Sequence, residues 1–543
     1  MKTARLALAI AAIAVAAVAA IPAVAEATGQ TDLFVSLGSG DDIRNAAPND
    51  CTNPDFPCRH IGYALARGSS NDIYVESGTY FENLTIGGTN SLHRSATANT
   101  APVIAGGSDP AITVDTGDPA YVVEGFKLEA NVGPAVVLND FAYLTSNTFE
   151  RDNADNAADV LIQAGSPTLS LNSFVDSGGG TADEQLGIEV FSASPEISQN
   201  TLSGFYKGIQ LGGSGASKII GNQISGMHET GGLGVGIDAR ADATISGNTI
   251  DRPASERTDG ILAIGPGTDV SLDHNRIEGA PTTGAAFDSG VDIRDTLSAS
   301  LEGDAISGTA FGLASVDDDP SGGGNVSIVN VTFSRSSLYD IVLRDTNLTI
   351  DSSIARIGIG LLSGDTSATC SITYSIGPVP SPPNPNGCDS FQSSSDPLLL
   401  GPNAEPPDLH IGPGSPAIDQ GNPAAPSTAA TDMDADPRGS DGDCDGVNRR
   451  DIGADELLHP CAAPQARLGP ATIKSRKRRA SFAFSSNEPA YRLECRLDKK
   501  PFAACASPKT YKHLKKGRHT FRVRARDAGD NLSAPAVKKF KLR

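Results

Sequence analysis

Between Leu144 and Ile277 the chain repeats one phrase: a polar Asn, a spacer, then a large apolar residue. It reads Asn147-Thr-Phe149, Asn172-Ser-Phe174, Asn200-Thr-Leu202, Asn222-Gln-Ile224, Asn248-Thr-Ile250 and Asn275-Arg-Ile277, at intervals of 22 to 28 residues. A second phrase, Gly followed by an aliphatic, keeps the same period through Gly187-Ile188, Gly208-Ile209, Gly236-Ile237, Gly260-Ile261, Gly290-Val291 and Gly312-Leu313. Each interval holds short apolar runs such as Ala243-Thr-Ile245-Ser and Gly260-Ile-Leu-Ala-Ile264, split by Gly, Asn, Asp and Ser, with no helical periodicity. Strands this short are unstable alone. Stacked in register about 4.8 Å apart, they pair with the coils on either side and bury an aliphatic column that no single coil hides. Two ladders with one period of this size predict a solenoid of parallel β-coils.

The repeats resemble the right-handed parallel β-helix repeats of secreted bacterial proteins, distantly similar to pectate lyases, over residues 32–456. At the start, Asp32-Leu-Phe-Val35, Asp72-Ile-Tyr-Val75 and Asn83-Leu-Thr-Ile86 read as strands. Cys58-Arg-His-Ile-Gly-Tyr-Ala-Leu-Ala66 reads as a short amphipathic helix that caps the open end of the stack. After Ile277 the repeat loosens: Asp304 stands where Asn stood and Asn330 is displaced by one, with coils expected to about Ile376. Asp396-Pro-Leu-Leu-Leu400, Gly414-Ser-Pro-Ala-Ile418-Asp-Gln-Gly421 and Asp451-Ile-Gly-Ala-Asp455-Glu456 resemble the closing segment of the choice-of-anchor group of β-helix proteins, which sets this domain at 32–458.

Residues 465–543 change character. Phe482-Ala-Phe484, Cys495-Arg-Leu497, His519-Thr-Phe-Arg-Val523-Arg-Ala525 and Lys539-Phe-Lys-Leu542 alternate at period two. Glu494-Cys-Arg-Leu-Asp498, Cys505-Ala-Ser-Pro508, Gly517-Arg-His-Thr-Phe521 and Asp527-Ala-Gly-Asp-Asn531 resemble bacterial immunoglobulin-like modules, which act as accessories. The resemblances imply an all-β chain: a right-handed parallel β-helix solenoid followed by a small immunoglobulin-like β-sandwich.

Residues 1–25 read as a signal peptide, with Lys2 and Arg5 before an Ala/Ile/Val run that ends in Ala23-Val-Ala25. The rival is a membrane anchor, since the apolar run approaches the roughly 20 residues a span needs. No other run is long enough, so the mature chain is expected to be secreted or at the cell surface, without a transmembrane segment and monomeric. Eight cysteines fall into four local pairs, Cys51 with Cys58, Cys370 with Cys388, Cys444 with Cys461 and Cys495 with Cys505, which fits disulfides in an exported chain. Metal binding is the alternative, although Cys and His do not cluster at zinc-ligand spacing. The net charge of −21 conceals a division: 22 Lys plus Arg stand against 5 Asp plus Glu from Gln465 onward, +17, leaving −38 for residues 1–464.

The Asn ladder is read as structural, because Asn tolerates φ > 0 in a tight turn and its amide can bond to the next coil. The outward position after each Gly-aliphatic pair holds Glu189, Gln210, Asp238, Leu262, Asp292 and Ala314. Alternation of faces puts Asp238 with Arg240, and Asp292 with Arg294, on one outer strip, where Glu189, Gln210, Asp238 and Asp292 are candidate sugar-binding residues. Carboxylates two coils apart would stand roughly 9 to 10 Å from one another, the far edge of inverting-glycosidase spacing. That makes Asp238, Arg240, Asp292 and Arg294 candidate catalytic residues, while the competing reading is a pair of solvated Asp-x-Arg ion pairs worth little.

Asp432-Met-Asp434-Ala-Asp436 and Asp441-Gly-Asp443-Cys-Asp445-Gly446 resemble the first half of an EF-hand loop, which implies Ca²⁺ held by Asp441, Asp443, Asp445 and Asp451 over the end of the solenoid. Position twelve is Ile452, so the alternative is an acidic turn clamped by Cys444. The basic runs Lys474-Ser-Arg-Lys-Arg-Arg479 and Lys509, Lys512, Lys515, Lys516 would attract an anionic cell-envelope polymer or serve to offset the acidic solenoid, with no specific nucleic-acid partner expected. The sequence reading is therefore an exported carbohydrate- or surface-binding β-helix protein. A polysaccharide lyase or glycoside hydrolase of the pectate-lyase-like group is the alternative and a purely structural adhesin a third, since the fold hosts all of these.

Overall fold

The computed structural model describes residues 30–543 except 45–46, 116–120, 131, 152–156, 177–184, 230–232, 254–256, 280–287, 297, 318–323, 363–366, 379–387, 389, 425–429, 459–463, 488–491 and 527–531. The leader at 1–25, Cys461 and the 527–531 motif lie outside the described residues, as does most of the Pro378 to Pro385 loop.

Three parallel sheets of 14, 12 and 12 strands build the solenoid. Each coil supplies one strand to each sheet in turn, as Tyr143–Thr145, Thr148–Arg151 and Ala158–Ile162 do. Every strand pairs in register with the one a coil away, so Leu144 stands opposite Leu169 and Phe149 opposite Phe174. The apolar residue of each Asn phrase points inward: Phe149, Phe174, Leu202, Ile224, Ile250 and Ile277 are all buried. At roughly 1.5–3 kcal/mol for each such side chain, the stacked columns supply the stabilisation that two- to seven-residue strands lack.

The Asn ladder fills the corner between the first and second sheets. Asn147 Nδ2 donates to Asn172 Oδ1 at 3.1 Å and to the Val123 carbonyl at 2.8 Å, and the Asn147 backbone N–H donates to the same Asn172 oxygen at 3.0 Å. The same set recurs at Asn172, Asn200, Asn222, Asn248 and Asn275. One expectation is corrected here: the left-handed residue is the one before Asn. Ser146, Leu171, Gln199 and His274 have φ of 57°, 58°, 56° and 54°. Each turn needs both a left-handed backbone and an inward amide, and two adjacent residues divide the tasks.

The Ile61–Leu65 helix covers the first coils, burying Ile61 and Ala64, while the Glu82 carboxylate accepts its first two N–H groups at 3.0 and 2.8 Å. The closing segment does not sit over the far end. It runs back along the flank: Arg276 donates to the Pro407 carbonyl, His274 to that of Thr431, and Asn330 to that of Asp451. Displacement of Asn330 from the ladder is what frees its amide for this contact. Beyond it, antiparallel sheets of three and four strands share a core of Phe482, Phe484, Leu497, Phe521, Val523 and Phe540. Disulfides join Cys51 to Cys58, Cys370 to Cys388 and Cys495 to Cys505, and Cys444 is also disulfide-bonded.

Candidate functional site

The outer face of the third sheet carries the strip. Register stacks Glu189, Gln210, Asp238, Leu262, Asp292, Ala314 and Val342 in one column. Asp238 and Asp292 are not solvated, contrary to the ion-pair expectation: they are 0% and 4% exposed. Lys207 reaches over from the preceding coil to Asp238 at 2.9 Å, and Arg240 grips the same carboxylate through Nε and Nη2 at 3.0 Å. Arg294 holds Asp292 likewise, with Nε at 2.9 Å. The guanidiniums, about half exposed at 50% and 46%, form the accessible surface and the acids are the anchors beneath them.

Asp259, also buried, accepts the Ser289 N–H at 2.7 Å through Oδ1. Burial, reinforced by the nearby Asp292 charge, pushes its carboxyl well above the usual range. Glu189 is half-buried and raised for the same first reason, with Lys207 opposing. An inverting hydrolysis needs a carboxylate with room for an attacking water. Asp238 lacks that room, because two cations already occupy its oxygens.

Two residues further along, on the same face, a second column emerges that sequence reading missed. Ile264, Arg294, Val316 and Arg344 are in direct register, and Arg240 follows the Ala239–Ala263 pair. On the N-terminal side Gly212 and Phe191 follow the Leu211–Val190 pair, and Phe191 is 53% exposed. Phe191, Arg240, Arg294 and Arg344 thus recur on every second coil, about 10 Å apart, with Gly212, Ile264 and Val316 between them. The signal was present as a fixed offset of four residues after each Gly of the second phrase.

In the closing segment the acidic motifs separate. Asp432 accepts the N–H groups of Asp434, Asp436 and Glu456 at 2.9, 2.8 and 2.8 Å, so it clamps a turn. Asp441 and Asp443 come together with Asp419, which sequence reading did not single out. Of the other two expected ligands, Asp445 pairs with Arg449 at 3.2 Å. Asp451 turns inward to accept the N–H groups of Asp419 and Leu457 at 2.6 and 2.7 Å. A second group joins His410, Asp434 and Asp455. His410 there is hydrogen-bonded through both ring nitrogens, to Asp408 and Asp434 at 2.6 Å each. Those bonds, Asp434 foremost, raise it to about 9, so a cation bound there would have to displace the imidazole proton.

A family model described as "right handed beta helix region" matches residues 120–306. The matched stretch lies within the parallel β-solenoid of this all-β chain. No curated protein matches this β-helix chain. Among solved structures, that of pectate lyase Pel9A has a TM-score of 0.38 at 13% identity, covering 79% of this chain and 98% of its own. The complex of XylC with xylose has a TM-score of 0.38 at 10% identity, covering 68% and 87%.

Proposed function

We propose that this β-helix protein is exported and binds an extended acidic carbohydrate along its third sheet without cleaving it. The observation that carries the reading is the column Phe191, Arg240, Arg294, Arg344. An aromatic face followed by Arg side chains at one interval suits a polymer with a repeating carboxylate, since Arg binds carboxylate through two parallel N–H donors. Buried Asp238 and Asp292 hold Arg240 and Arg294 in place, which lowers the ordering cost of binding. The disulfides suit an oxidising compartment, and the small sheets after the solenoid are read as an immunoglobulin-like accessory.

Arg240→Lys with Arg294→Lys keeps both ion pairs but removes the paired donors. On an array of uronic-acid oligosaccharides the wild-type chain is expected to bind, and the double variant about tenfold more weakly, as loss of about 1.4 kcal/mol implies. Reducing-end and unsaturated-product assays on the same panel should stay blank. Product that survives the Arg changes and disappears in Glu189→Gln would replace the binding reading with a catalytic one, a lyase if the product is unsaturated and a hydrolase if only new reducing ends appear.

A further inference from the structure

Asp419, Asp441 and Asp443 each turn one carboxylate oxygen into a common space, with these atoms all within 4.8 Å of one another. Oxygens bound to one Ca²⁺ at 2.3–2.6 Å can be no more than about 5 Å apart, so the three already meet the distance limit. The backbone amides of Asp445 and Gly446 fix the Asp441 carboxylate at 2.9 Å each, and that of Asp445 also fixes Asp443 at 2.9 Å.

Asp419 supplies the independent sign of a ligand. It is 1% exposed and its Oδ2 accepts the Asp443 N–H at 2.8 Å, yet its Oδ1 is buried with no hydrogen-bond partner. An unmet carboxylate oxygen in such a place costs free energy unless a proton or a cation meets it. Hydrogen bonds within the loop do not relieve that oxygen.

We propose that Asp419, Asp441 and Asp443 hold a calcium ion that ties the closing turn of the solenoid to the 441–446 loop. All three donors are hard oxygens, which suits Ca²⁺ over zinc or copper, and carbonyls or water would complete its six to eight ligands. The third carboxylate comes from 22 residues before Asp441, in place of the absent carboxylate at position twelve of an EF-hand loop. The consequence reaches beyond the loop. Cys444, inside it, is buried against Ala525 of the C-terminal sheets, so the ion would set the surface on which those sheets rest.

Calorimetry on the full chain, stripped with EDTA and titrated with CaCl₂, is expected to show binding, and the melting temperature should rise with Ca²⁺. Asp419→Asn, close in shape and still able to accept the Asp443 N–H, should weaken binding at least tenfold and abolish the melting shift. Asp434→Asn, in the neighbouring histidine group, should leave both unchanged. Absence of heat and of any shift in the wild type overturns the site, as does an Asp419→Asn chain that binds as tightly as wild type. If Asp419→Asn fails to fold, Asp443→Asn takes its place and the wild-type titration still decides.

Discussion

Asp304 occupies the rung where the Asn ladder changes residue, and its two oxygens are treated differently. Oδ1 accepts the N–H and Nδ2 of Asn275 at 2.7 and 2.9 Å, while Oδ2 is buried without a partner. Burial raises this carboxyl to about 7, against an ordinary value of 3.8. A proton on Oδ2 turns the acid into a mimic of Asn, able to donate where each Asn amide donates. Because the folded state holds that proton more tightly, its stabilising contribution is complete below about pH 4 and is lost as pH rises through about 7. Asp304→Asn should therefore raise stability at pH 8 by about 1 kcal/mol and flatten the slope between pH 4 and 7. Urea denaturation of both chains across that range checks this, and an unchanged slope would defeat the assignment. The rung itself was legible from the Asn period. The left-handed turn one residue earlier was not, because Leu171 and Gln199 carry no turn signature and are held there by the ladder on either side.

Glycine in a strand is ordinarily a weakness, worth about 0.5–1 kcal/mol to replace with Ala. The column at Gly187, Gly208, Gly236, Gly260 and Gly290 reverses that sign. A Cβ on Gly236 would lie 2.6 Å from the Gly260 carbonyl oxygen and 3.0 Å from the Ile250 side chain, and the other four meet similar walls. The third sheet approaches the second here, and only hydrogen fits between them. Gly236→Ala should cost about 2 kcal/mol through overpacking. Gly38→Ala, where a Cβ meets nothing within 4 Å, should be neutral or mildly stabilising. Thermal melts of the pair measure the contrast, and a Gly236→Ala chain as stable as wild type would mean that the sheets can part freely. At this scale the sequence was informative, since Gly followed by an aliphatic marked both the contact and the strip beyond it. What it concealed was the burial of Asp238 and Asp292, the first of them also paired with Lys207 of a neighbouring coil, and the meeting of Asp419 with the distant Asp441 and Asp443.

The whole chain divides its charge, with +17 after residue 464 against −38 before it. A net charge of −21 alone would predict repulsion from any polyanion. The fold concentrates the cations further. Leu514 N–H donates to the Arg478 carbonyl at 3.1 Å, which sets Lys512, Lys515 and Lys516 beside the turn bearing Arg476, Lys477, Arg478 and Arg479. Fields from separate charges sum at this end, and at 0.1 M salt they persist over about 10 Å, too short a reach for most of the acidic solenoid to cancel them. The full chain should therefore be retained on immobilised polygalacturonate at low salt despite its negative total. Lys512→Glu with Lys515→Glu and Lys516→Glu should lower the salt concentration at which it elutes. The arginine column makes short-range paired hydrogen bonds, so Arg240→Lys with Arg294→Lys should weaken retention at every salt concentration while leaving its salt dependence nearly unchanged. If the triple Lys variant elutes where wild type does, the basic end takes no part in holding the polymer and the third sheet must hold it alone.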